Sequence, residues 1–133
     1  MIESAIRTRL VADPTLSGLV AGRIYPGIAP QRGALPRIVY SRTSTRRILE
    51  MAGPSGLAQP RLRFEIFAND YSDAKDIAEA LRVSLDGFAG TISGTVVALA
   101  EVEEEDDGIV PPSDGGEQAI YSVSIEALIW EQE

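Results

Sequence analysis

Between Leu62 and Phe88 the apolar residues change from every second position to every third or fourth, and this change constrains the fold more than any other feature. Leu62, Phe64, Ile66 and Ala68 alternate with Arg61, Arg63 and Glu65, the pattern of a strand with one dry face and one wet face. Ala74, Ile77, Ala78, Leu81, Leu85 and Phe88 then recur at helical spacing. Asp70 or Ser72 can cap the first amides, Asp73 and Asp76 suit the positive end of the helix, and Gly87 and Gly90 stop it. Both elements are apolar on one side only, so each needs a covering layer, which a sheet with helices on it supplies.

The rest of the chain extends that plan. Ile2, Ala5, Ile6, Leu10 and Val11 predict an amphipathic helix over residues 2–12, ended by Asp13-Pro14 because a residue before proline resists the α conformation. Leu16–Val20 can add a further helical turn, followed by an irregular stretch rich in Gly and Pro. Strands are predicted over about 37–47, 61–68, 95–103 and 118–130, the last from the alternation of Tyr121, Val123, Ile125, Ala127 and Ile129. The expected fold is α+β: a four-stranded, mainly antiparallel sheet with two helices on one face, in the order helix, hairpin, helix, hairpin. Residues 1–133 form one domain, with a projecting hairpin tip at about 48–60 and a mobile acidic loop at about 103–117.

Composition narrows the chemistry. Histidine and cysteine are both absent. An enzyme would lack the common general bases, zinc ligands and thiol nucleophiles, leaving carboxylates, Tyr and the single lysine, Lys75. The expectation is therefore a protein that is not an enzyme and carries no cofactor. No stretch reaches the roughly 20 apolar residues of a membrane span, and MIESAIRTRL lacks an apolar signal core, so a soluble, unanchored protein is expected.

The charges are segregated. Seven arginines face one acid between Arg32 and Arg63, whereas eleven acids and no base lie between Glu101 and Glu133, within a chain of net charge −8. Copies could dock head to tail through such halves, although charge runs in isolated domains are often only solvated faces. The candidate interface residues are Arg42, Arg46, Arg47, Arg61 and Arg63 on one side and Glu103, Glu104, Glu105, Asp106 and Asp107 on the other. Arginine suits protein interfaces because its planar fork pairs carboxylates bidentately. Trp130, beside Leu128 on a strand face, is either core edge or interface anchor. A calcium-loop reading of Glu103, Glu105, Asp107 and Gly108 fails because its flanks read as strands and Pro111-Pro112 interrupts it. The arginine stripe has little aromatic interleaving, so it offers no platform for bases.

Several segments, in this order, carry a family resemblance: GRIYP at 22–26, PRIVYSRTSTRR at 36–47, a glycine-bearing hairpin tip, RLRFEIFAND at 61–70 and YSDAKDIAEALRVSL at 71–85. Over roughly residues 1–95 the chain resembles the tail completion or tail terminator proteins of long-tailed phages and related gene transfer agents. The resemblance implies a structural virion protein, formed into a homohexameric ring, that caps the head-proximal end of the tail tube and ends its growth. Its implied partners are other copies of itself, the tail tube protein and the head-tail connector or stopper protein, with DNA passing through without specific binding and no membrane involved. The implied location is the head-tail junction of the virion, after assembly in the bacterial host cytoplasm. The alternatives are a monomeric acidic adaptor or inhibitor that binds a basic partner, and a carboxylate-dependent enzyme.

Overall fold

The computed structural model describes residues 1–28, 34–110 and 119–133, apart from the side chains of Pro54 and Val110. Helix α1 spans Ile2–Ala12 and α2 spans Pro14–Val20. Strands β1 (Ile24–Pro26), β2 (Arg37–Glu50) and β3 (Gly53–Ala68) precede α3 (Tyr71–Leu85), and β4 (Gly90–Ile92), β5 (Thr95–Val110) and β6 (Ile120–Gln132) follow it. The strands form one sheet in the order β1-β2-β3-β6-β5-β4. Among the described residues only the β1-β2 pair is parallel.

This corrects the expected four-stranded antiparallel sheet with two helices: among the described residues the sheet is mixed, six-stranded and curled, and the helices are three. The four long strands β2, β3, β5 and β6 are those the alternation predicts, and their mutual pairing is antiparallel. Strands β1 and β4 are three residues each, too short to show a period of two. The third helix comes from one dipeptide with two roles. Asp13 ends α1 in an extended conformation, and its carboxylate accepts hydrogen bonds from the N–H groups of Thr15 and Leu16 at 2.9 and 3.1 Å. Pro14 then occupies the first position of α2, where a missing N–H costs nothing.

The inner face of the sheet carries Ile38, Leu62, Phe64, Ile66, Val123, Ile125, Ala127 and Ile129, all at most 1% exposed. They share one cluster with Ile2, Ile6 and Leu10 of α1, Leu16 and Val20 of α2, and Ala74, Ile77, Ala78, Leu81 and Leu85 of α3. Helix α3 packs on β3, β5 and β6. Its start is fixed by Asp70, whose carboxylate accepts from the Ser72 N–H at 3.1 Å. The predicted faces of both long helices therefore match the buried ones.

Two strands are longer than the sequence suggests. Strand β2 runs to Glu50 and β3 begins at Gly53, so Met51 and Ala52 alone form the turn, and much of the expected 48–60 tip is ladder. Pro60 is tolerated because the β3-β6 register opens around Gln59 and Pro60, where proline has no N–H to give. Pairing with β6 begins only at Leu57, so the end of the hairpin extends past the sheet as a two-stranded ribbon, with Leu49 and Met51 exposed. Strand β5 continues to Val110, which places Glu103–Asp107 in a strand paired with β6 rather than in a loop. Residues 111–117 of the expected acidic loop lie outside the described residues, as does Arg32.

Candidate functional site

The charged residues lie on both faces of this sheet, and the strand register decides which meet. Arg42 is level with buried Leu62 and so points to the helix side. There its guanidinium donates to both carboxylate oxygens of Glu3 on α1, at 2.6 and 2.8 Å, and to the Thr45 hydroxyl at 3.0 Å. Partial burial pushes Glu3 up, but the Arg42 hydrogen bonds and charge, with a backbone N–H, hold it below its ordinary value. Arg47 pairs Glu133 at 3.0 and 3.1 Å, which lowers the Glu133 carboxyl through that hydrogen bond and the arginine's charge.

On the outer face, Arg61 of β3 reaches across β6 towards the acidic strand. It is hydrogen-bonded to Glu103 and lies 3.7 Å from Glu126. This position is physically needed: Glu104 stands directly opposite Glu126 in the β5-β6 ladder, and like charges facing each other across strands destabilise the pair. Arg63 pairs Glu65 at 3.1 Å and reaches the Ser124 hydroxyl at 3.4 Å. Arg46 is exposed and has no ion pair among the described residues.

The acidic run divides in the same way. Glu105 and Asp107 lie on the helix side, level with buried Ile125 and Val123. Lys75 at the start of α3 is 2.8 Å from Asp107 and 3.7 Å from Glu105. The Tyr71 hydroxyl donates to Asp107 at 2.6 Å. These donors lower the Asp107 carboxyl, Lys75 first and Tyr71 second, and the same contact raises Lys75. Glu104 and Asp106 face the outer side, exposed and without an ion pair among the described residues. Because neighbouring acids alternate between faces, their carboxylates do not converge on one point as a calcium cage requires.

Four of the five expected interface arginines are thus paired with carboxylates of their own chain, three of them across long sequence separations. The structure brings Arg61 to Glu103 and leaves Arg46, Glu104 and Asp106 open. Trp130 is half-buried on the outer face opposite Leu99, with its indole N–H buried and without a hydrogen-bond acceptor among the described residues. Sequence reasoning missed Glu3, Glu133 and Lys75 as partners, because nothing local links residues this far apart.

The family model described as Tail completion protein gp17 matches residues 4–126 of the sequence. The chain belongs to that family. A chain of a solved structure titled "Virion of native gene transfer agent (GTA) particle" has the same fold, with a TM-score of 0.79 at 16% identity. The match covers 99% of this chain and 95% of that one. No curated protein matches the sequence. This tail completion protein is a structural component of the virion tail, which is consistent with the expectation of a non-enzyme.

Proposed function

We propose that this tail completion protein forms a homohexameric ring on the head-proximal end of the tail tube, ends tube growth and joins the tail to the head connector. The observation that carries the reading is the family match across residues 4–126. A ring needs a heterologous interface, in which one side of a subunit meets a different side of the next. The chain supports this with opposite charge at its two sheet margins: arginines on β2 and carboxylates on β5. The partners in this reading are further copies of the chain, the tube protein below and the connector or stopper protein above, at the head-tail junction of particles assembled in the host cytoplasm. The net charge of −8 suits a passage for DNA, since an acidic wall does not hold phosphate. No catalytic group, cofactor or metal takes part.

The test is particle production without this chain, followed by electron microscopy. The reading predicts tails of uncontrolled length that stay detached from filled heads, with both defects corrected when the chain is supplied. Tails of normal length joined to heads in its absence would overturn it.

A further inference from the structure

Two half-strands of the sheet have no strand partner on one side among the described residues. On one margin, β1 covers only Ile38–Tyr40 of β2, which leaves the edge from Ser41 to Glu50 open. On the other margin, β4 covers Thr95–Val97 of β5. The Asp86–Phe88 segment covers the next stretch: Gly87 N–H donates to the Ala100 carbonyl and Ala100 N–H to the Phe88 carbonyl, each at 2.8 Å, and Val102 N–H donates to Asp86 Oδ1 at 3.1 Å. From Glu103 to Val110 the β5 edge is open. Open edges are rows of backbone donors and acceptors that template pairing with another chain.

Charge on an edge strand commonly serves to prevent such pairing, but protection of that kind does not require opposite signs on the two edges. Here the open β2 edge bears Arg42, Arg46 and Arg47, and the open β5 edge bears Glu103, Glu104, Glu105, Asp106 and Asp107. We propose that the open edge of β2 in one copy pairs antiparallel with the open edge of β5 in the next, joining the sheets of neighbouring copies into one. The inference rests on the ring reading above and names the surface through which the ring closes.

Three features of the geometry support it. The strands β2, β3, β6 and β5 are linked by successive antiparallel pairs, so β2 and β5 run in opposite directions and side-by-side copies present an antiparallel pair. The faces also agree. Setting Arg46 opposite Asp106 puts both on the outer face, and it sets Arg47 opposite Glu105, both on the helix side. Finally, the stagger suits closure. Within one copy Arg46 is level with about Leu99, so the shift to Asp106, less the bulged residue between Val102 and Glu104, is about six residues or roughly 20 Å. Over four strands about 19 Å wide, that shift corresponds to strands tilted by roughly 45°, near the upper end of the range, roughly 35–45°, at which sheets close on themselves.

The chain has no cysteine, so a pair introduced by Arg46→Cys and Asp106→Cys reports only the contact between those positions. Within one copy they lie on opposite margins of the sheet, beyond the reach of a disulfide. Mild oxidation of the full-length double variant, free at high concentration and in assembled tails, should give a ladder of trimers and larger species on a non-reducing gel. Each single variant should stop at dimers. Arg46→Cys with Glu104→Cys covers a two-residue shift of register. In parallel, Arg46→Glu should lower the mass of the assembled species, and adding Asp106→Arg to the same chain should restore it. Double-cysteine chains that stop at dimers while the ring keeps its mass would overturn edge pairing and leave the ring standing. The lack of any multi-copy species, free or in tails, would overturn both.

Discussion

Leu81 is fully buried in the middle of α3, on the face that packs against the sheet, and Val83 on the same helix is 66% exposed. Replacing Leu81 by Ala removes three carbon groups from the core. At about 0.8 kcal/mol for each buried methylene, the transfer loss is about 2.4 kcal/mol. If the vacated space, on the order of 70 Å³, stays open, a cavity cost of about 24 cal/mol per Å³ adds about 1.7 kcal/mol. Leu81→Ala should therefore destabilise the fold by roughly 2.5 to 4 kcal/mol, the smaller value applying if neighbours relax into the gap. Val83→Ala should change stability by less than about 0.5 kcal/mol, since an exposed valine has little packing to lose. Urea unfolding followed by circular dichroism measures both, with the m-value held constant as the check on two-state behaviour. A Leu81→Ala loss below about 1 kcal/mol, or equal losses at the two sites, would refute the assignment of the α3 face.

Two further predictions concern the charges. Glu3, Glu133 and Asp107 are held below their ordinary values, so their stabilisation is present above those values and is lost as the pH falls through the lowered ones, a window that starts near 4.5 for the two glutamates and near 3.8 for Asp107 and extends downward. Urea midpoints between pH 6 and pH 3 should show a shallower acid decline in Arg42→Met than in the parent; identical slopes would mean that the Glu3 contact does not persist in solution. Arg61→Ala removes the cation that pairs Glu103 and lies 3.7 Å from Glu126, leaving only Arg63 level with Glu126, and a double-mutant cycle of Arg61 with Glu103 should give a coupling of about 0.2 to 1 kcal/mol that shrinks in high salt. A coupling of zero at low salt would remove Arg61 from this role.

The parts of the fold legible in the sequence are those with a strong period: the faces of α1 and α3, and the alternation in β3 and β6. What was illegible depended on partners far along the chain. Glu103–Asp107 has low strand propensity and reads as loop, yet it is held in a strand by the ladder to β6, by Arg61 on one face and by Lys75 and Tyr71 on the other. Gly53, Pro54 and Gly56 read as a wide tip, but the turn needs only two residues and the glycines take positive φ values of 126° and 80° within the ribbon. Asp13-Pro14 carried the signal for α2 openly, since an acidic cap followed by proline starts a helix as well as ending one. The charge split was visible from the outset; that it is largely neutralised within one copy, leaving Arg46, Glu104 and Asp106 open at the margins, follows only from strand order.

The most direct test of the account is a density map of the head-tail junction in particles that contain this chain. The account predicts one hexameric ring between tube and connector, in which β2 of each copy lies beside β5 of the next, with Arg46 next to Glu104 or Asp106 across every interface. A map that places the chain elsewhere on the particle, or a ring whose copies meet through their helices with both sheet edges open, would contradict it.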